Sequence, residues 1–196
     1  MKVKRFPYGI LCLFAFALIF VGCVSTRQQK HISRNLTDRG VMSAAELVAF
    51  FMMNNPDVDR ENVELLANLY IDEAGMEGIN SDCAFIQMCH ETGFLQYGNL
   101  VTPEMHNYCG LGAINEEQRG LVFETEQLGV RAHVQHLHAY ATAADVVLIN
   151  DCIDPRYRYV NPRGKSPTIE GLAGTWAADR QYSEKLEALL VRLESK

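Results

Sequence analysis

Positive charge is scarce in this chain: 18 Lys and Arg stand against 24 Asp and Glu, a net charge of −6. Bulk attraction to polyanions is thereby excluded, and with it a nucleic-acid-binding role that rests on phosphate charge. Long apolar runs are almost absent. The one clear run, residues 10–21, has ~12 residues against the ~20 that a membrane-crossing helix needs. No internal repeat or low-complexity tract is present, so a repeat architecture is excluded. Strand patterns are few, with at most a short hairpin around residues 113–123 turning at Gln118-Arg119-Gly120. Metal-site spacing is missing too. His90-Glu91 lacks the second His of an H-E-x-x-H site. His133 and His136 share a helix face but His138 points elsewhere, so the three do not converge. No metal and no other cofactor is expected.

What is present begins with a leader. Lys2, Lys4 and Arg5 precede the apolar run, and Val21-Gly22-Cys23 closes it, the layout of a secretory signal over residues 1–22. Phe20-Val21-Gly22-Cys23 resembles a bacterial lipobox, with Phe20 where Leu is usual; that resemblance implies lipidation of Cys23 and a mature chain beginning there. Acyl chains on Cys23 would hold the protein on a membrane. Removing Lys2, Lys4 and Arg5 with the leader takes the net charge from −6 down by three, to −9. An anchor, rather than basic attraction, would then hold the protein at the membrane surface. Residues 23–41 are polar and read as a flexible tether. Residues 42–196 are the domain, in a chain whose 48% apolar content suffices for a core.

Within the domain, Ser43-Ala44-Ala45-Glu46 is a capping box that opens a short apolar helix over residues 47–53, ended by Asn54-Asn55-Pro56. Asp59 caps a second helix over residues 60–73, with Val63, Leu66, Ala67 and Tyr70 inward. The longest helix is expected over 128–148, another over 166–178, and a last one over 182–194.

The most informative stretch runs from Ser81 to Gly112. Ser81 or Asn80 caps an amphipathic helix whose core stripe is Cys83, Phe85, Ile86, Met88 and Cys89. The helix runs out at Glu91, before Thr92-Gly93 and a loop rich in Gly, Asn and Tyr. Between Asp82 and Glu104, Glu91 is the only carboxylate. An acid at a helix end, beside apolar surface, is placed for proton transfer at a raised pKa, although many such residues are simply solvated.

These residues carry a family resemblance. Met88-Cys89-His90-Glu91-Thr92-Gly93-Phe94, Gly98-Asn99-Leu100 and Asn107-Tyr108-Cys109-Gly110-Leu111-Gly112 resemble the bacterial glucosaminidases, endo-β-N-acetylglucosaminidases that act on peptidoglycan. The block Gly174-Thr175-Trp176-Ala177-Ala178-Asp179-Arg180-Gln181-Tyr182-Ser183-Glu184-Lys185-Leu186 is similar to the family's ending. The resemblance spans most of residues 43–195. It implies a mainly α (α+β) fold, a lysozyme-like helical domain with a small β-hairpin lobe. It implies peptidoglycan glycan strands as the partner, and Glu91 as the general acid. Tyr182 matches the ending motif, where a Tyr helps orient the substrate's acetamido group or the water. Tyr108 and Trp176 are implied to line the cleft, and Asn107 and Tyr97 offer further amide and aromatic partners for a sugar.

Glycoside hydrolysis commonly uses a second carboxylate. Many family members carry it in a longer hairpin that is shortened here. Glu116, Glu117 and Glu124 remain, and each reads as solvated surface. Without them, the 2-acetamido oxygen of the substrate would be the nucleophile. Two other readings stand beside the hydrolase: a lytic transglycosylase or muramidase on the same fold, and a catalytically silent wall-binding lipoprotein. Cys83, Cys89, Cys109 and Cys152 allow either a bridge between Cys89 and Cys109 or four buried free thiols.

Overall fold

The computed structural model describes Met1 and residues 30–195. The leader, Cys23 and the first part of the tether therefore lie outside the described residues. Five helices carry the chain: α1 (Ala44–Asn54), α2 (Arg60–Glu77), α3 (Ser81–Glu91), α4 (Glu126–Ala141) and α5 (Tyr182–Glu194). Three single 3-10 turns, Pro103–Met105, Tyr157–Tyr159 and Glu170–Leu172, interrupt the long connections. Pairing between extended segments is confined, among the described residues, to isolated bridges. The expected mainly helical class holds.

Helix α3 is the axis on which the others pack. Asn80 Oδ1 accepts from the backbone N–H groups of Asp82 and Cys83 at 3.1 and 3.4 Å, which settles the cap on Asn80. Every residue from Ser81 to Cys89 is buried. The helix is covered on all sides by α1, α2, α4 and α5 rather than lying amphipathically on a surface. Its polar residues must then find internal partners. Asp82, for example, accepts from the N–H groups of Val41 and Met42 at 2.7 and 3.2 Å. Phe85, Ile86 and Met88 are fully buried, and each contributes about 1.5–3 kcal/mol by leaving water.

Four sequence expectations need correction. Residues 30–41, read as tether, are part of the fold: Ile32 and Leu36 are each 1% exposed. Arg34 pairs with Glu187 and Glu194 on α5, and Leu36 bonds through its backbone to Pro167 and Asn80. The hairpin at residues 113–123 is only a turn, because Asn115 Oδ1 captures the N–H groups of Glu117 and Gln118 at 3.0 and 2.9 Å. Helix α4 stops at Ala141 instead of reaching residue 148. Thr142 Oγ1 turns back to the His138 carbonyl at 2.7 Å, and the Arg163 guanidinium donates to that Oγ1 at 2.8 Å. Finally, residues 166–178 form a looped segment with one 3-10 turn. Buried Ser166 donates to the Gly171 carbonyl at 2.8 Å, and Gly174 takes a positive φ of 77°; such local side-chain bonds compete with helix.

Candidate active site

Glu91 is the last residue of α3, half-buried, beneath a loop of unusual backbone. Gly93, Phe94, Leu95 and Tyr97 all have φ between 55° and 59°. For non-glycine residues each such conformation costs about 1–2 kcal/mol, so packing must hold it. It does. Phe94 inserts between Phe50 and Phe51, with ring centroids 6.0 and 5.3 Å away, and Asn55 Nδ2 donates to the Phe94 carbonyl at 2.8 Å. Thr92 Oγ1 accepts from the Leu95 N–H at 3.0 Å. The loop thereby aims Tyr97 over a cavity of about 140 Å³ lined by Glu91, Asn99, Leu100, Val101 and Ala113. Tyr97 also lines a neighbouring groove of about 660 Å³ with Tyr108, Leu95 and His106. The two spaces share that ring.

Two donors meet on one oxygen of Glu91. Trp176 Nε1 donates to Oε1 at 3.0 Å, and the Tyr182 hydroxyl donates to the same atom in a short hydrogen bond. Burial raises Glu91 above its usual carboxylate value, while the Tyr182 and Trp176 bonds pull it back. Burial also pushes the Tyr182 hydroxyl well up, so it keeps its proton and acts as a donor. With Oε1 occupied, Oε2 is left to carry an acid proton.

The sequence explains how these donors arrive. Asp179 accepts from the Gln181 N–H at 2.9 Å and pairs with Lys185 Nζ at 2.6 Å, which sets the start of α5 at Tyr182. Trp176 is wedged against His136 and Tyr140, both with ring centroids 5.1 Å away, and His133 at 5.8 Å. The Tyr140 hydroxyl donates to the Thr175 carbonyl at 3.1 Å and steadies the segment.

Among the described residues, Glu91 is the sole carboxylate lining the cavity. Glu116, Glu117 and Glu124 are exposed. This pairing of a desolvated carboxyl with two fixed donors, next to a Tyr-lined cleft, suits proton delivery to a sugar oxygen. A family model for glucosaminidase, described as mannosyl-glycoprotein endo-beta-N-acetylglucosaminidase, matches residues 67–195. The chain belongs to the glucosaminidase family. A protein of Borreliella burgdorferi, described as uncharacterized, is 39% identical over 158 residues, covering 81% of this chain and 76% of the relative. No solved structure matches the chain. Family membership makes this a glycoside hydrolase domain with a lysozyme-like, mainly helical fold.

The glucosaminidase motifs fall in one place, yet not every side chain does what its type suggests. Glu91, Trp176 and Tyr182 converge. Tyr97 lines the cleft. Tyr108, only 3% exposed, still lines the neighbouring groove, and Asn107, in the cavity wall, is committed to the loop backbone. The Asn107 amide donates to the Leu111 and Leu121 carbonyls at 3.0 and 2.9 Å and accepts from the Leu111 N–H at 2.8 Å. It therefore shapes the wall, with both amide protons spent on backbone carbonyls and none left to donate to a sugar. The Tyr182 hydroxyl, expected to face substrate or water, is spent on Glu91. Cys83, Cys89 and Cys109 are buried free thiols, whereas Cys152 is exposed, so neither the bridge nor four buried thiols describes them. His133 and His136 do share a face, against Trp176; His138 stacks on Tyr157 at 5.9 Å.

Sequence reasoning missed Gln87, and read Tyr70 only as core and His133 only as a possible metal ligand; all three stand behind Tyr182. Their signal was visible in part: Gln87 is a polar residue between Ile86 and Met88, one turn before Glu91, and His133 sits between Ala132 and Val134 of α4. Neither position names its partner, because the partners lie on other helices.

Proposed function

We propose that this glucosaminidase is an exported, lipid-anchored peptidoglycan hydrolase that cuts the β-1,4 bond after N-acetylglucosamine, with Glu91 as the general acid. The observation that carries the reading is the lone carboxyl of the cavity, with Trp176 and Tyr182 both on Oε1. Family membership supports peptidoglycan as the substrate. The leader pattern ending at Cys23 supports export and an anchor facing the periplasm or exterior.

Chemistry follows from having one acid in the cavity, the carboxylates Asp59, Glu61, Glu104 and Glu126 lining the neighbouring groove instead. The proton on Glu91 Oε2 passes to the glycosidic oxygen as the C1–O bond breaks. The 2-acetamido oxygen of the same sugar attacks C1, giving a cyclic oxazolinium ion. The Glu91 carboxylate then takes a proton from a water that adds to C1, reopening the ring and restoring the acid. One water is consumed and one reducing end is released. Tyr97 offers its flat face to a sugar ring.

A single acid also suits a lytic transglycosylase, in which an internal hydroxyl replaces water. The test is digestion of purified peptidoglycan by the full chain in detergent, beside Glu91→Gln, with mass spectrometry of the products. Reducing-end N-acetylglucosamine released by the native chain and lost in the variant is the expected result. Ends in 1,6-anhydromuramic acid would move the chain to the transglycosylase class. Saturable binding to walls with intact glycan would make it a wall-binding lipoprotein instead.

A further inference from the structure

Behind Glu91 a single file of hydrogen bonds crosses the core. Gln87 Nε2 donates to the Tyr182 hydroxyl oxygen at 2.8 Å; Gln87 Oε1 meets His133 Nε2 at 3.0 Å; His133 Nδ1 meets the Tyr70 hydroxyl at 2.8 Å. The file draws on α2, α3, α4 and α5, and all four side chains are at most 3% exposed. Ring edges reinforce it: Tyr70 and His133 are 5.7 Å apart at 84°.

Every bond in the file has one direction. Gln87 has its amide nitrogen on Tyr182, so its oxygen faces His133 and must receive a proton from Nε2. Burial pushes His133 down to about 3, so the ring is neutral and holds that one proton. Its Nδ1 must then accept, and the Tyr70 hydroxyl donates. The order is Tyr70 to His133, His133 to Gln87, Gln87 to Tyr182, and Tyr182 to Glu91. Four side chains thus point their donors toward one carboxyl oxygen.

We propose that Tyr70, His133 and Gln87 are positioning residues that lock Tyr182 as a donor to Glu91 Oε1. Gln87 occupies the acceptor position on the Tyr182 oxygen, so the proton of Glu91 cannot settle there and is kept on Oε2, free for transfer. Aligned bonds also polarise one another, which strengthens the last donor and favours the carboxylate that forms midway through each turnover. The inference rests on Glu91 being the acid of the proposed hydrolysis. Among the described residues, the other titratable groups that face this region are His90 against the Tyr182 ring at 5.3 Å, the Asp179–Lys185 pair beyond it, His136 held by Asp154 at 2.8 Å, and, near Tyr70, Cys89, Cys109, Tyr97 and Tyr108. None of them has a hydrogen bond to a member of the file.

Trp176, the one Trp of the chain, reports on Glu91 directly through its Nε1 bond. The experiment is a pH titration of its fluorescence in the full chain in detergent, taking as the Glu91 transition the part that Glu91→Gln abolishes. In Gln87→Met the midpoint moves upward, because the neutral acid gains a seat on the Tyr182 oxygen. With glycan as substrate, kcat falls by about two- to tenfold, the weight of one hydrogen bond, and KM is unchanged. Tyr70→Phe, which removes one buried oxygen and keeps the ring, shifts the midpoint the same way by less. Val134→Ala, a core loss on α4 outside the file, leaves it where the native chain has it. If Gln87→Met does not fold, Tyr70→Phe decides alone. Folded Gln87 and Tyr70 variants with the native midpoint would overturn the relay, even with hydrolysis intact. Normal midpoint shifts in a chain that leaves all glycan uncut would sustain the relay and sink the hydrolase reading.

Discussion

Trp176 and Glu91 lie 85 residues apart in the chain, yet Trp176 Nε1 lies 3.0 Å from Glu91 Oε1. A Trp of this kind is doubly used. Its ring fills a socket of His133, His136 and Tyr140, and its one donor holds the candidate acid. Either use alone would leave the other group unexplained, since a buried indole N–H needs a partner and a desolvated carboxylate needs donors.

Trp176→Phe separates the two uses. The ring volume stays nearly filled while the donor is lost. One hydrogen bond to a charged group is worth ~1.5–3 kcal/mol, so glycan cleavage at its optimum falls by about ten- to a hundredfold. The loss of a donor that favours the carboxylate leaves Glu91 protonated to higher pH. The alkaline limb of the pH–rate profile therefore moves up as the maximum falls. An unchanged profile would show that the indole N–H does not act on the acid.

Glu91 also bears on stability. Burial raises its native value above that of the unfolded chain, so the unfolded chain loses this proton first as pH rises. Its stabilising contribution is complete below the unfolded value and is lost as pH rises through the native one. Glu91→Gln keeps an oxygen acceptor for both donors and has no charge to bury. The variant is therefore expected to melt higher than the native chain at pH 7, with the difference vanishing near pH 4, while activity is abolished at both. Thermal melts at the two pH values check it; equal melting at pH 7 would contradict the desolvation of Glu91.

What the sequence could and could not convey follows from the range of the forces. The Ser43 capping box, the Asp59 cap and the end of α3 at Glu91 depend on neighbours within a few residues, and their helices appear where the pattern puts them. Residues 166–178 look helical by the same local rules, but Ser166 and Thr175 bond to Gly171 and to each other, and Gly174 turns the chain left-handed. Ile32 and Leu36 are two apolar residues in a polar stretch, and only the distant surfaces of α3 and α5 make them core. In the site, Glu91 was legible as a lone acid at a helix end. Its file of partners was not, since each link joins two different helices.

Two glycines inside helices give opposite expectations. A Cβ on Gly129 would sit 1.7 Å from the His106 carbonyl oxygen, so α4 touches the backbone of the loop that carries Asn107 and Tyr108. Gly129→Ala must push that loop away, at a cost of about 1–3 kcal/mol, and the displaced wall reduces cleavage as well. Gly75, within α2, has nothing within 4 Å of such a Cβ. Gly75→Ala is expected to stabilise by about 0.5–1 kcal/mol through helix propensity. Urea melts of both variants measure the contrast, and a loss from Gly75→Ala would mean that α2 needs its glycine for some other reason.

The segment before α1 allows the last and largest test. Ile32 and Leu36 each gain about 1.5–3 kcal/mol from burial, together a good part of the ~5–15 kcal/mol that a domain has in total. Arg34 bridges Glu187 and Glu194 on α5, and Val41 supplies one of the donors that buried Asp82 requires. A chain of residues 42–196 loses all of these at once and leaves Asp82 one donor short. Against residues 24–196, it should melt about 10–20 °C lower, at the ~2–4 °C per kcal/mol usual for chains of this size, or fail to fold. Arg34→Ala in the longer chain should show a smaller part of the same loss, reduced further in high salt because the guanidinium is partly exposed. Were the two lengths to melt together, residues 30–41 would be a tether after all, and the domain would begin at its first capping box.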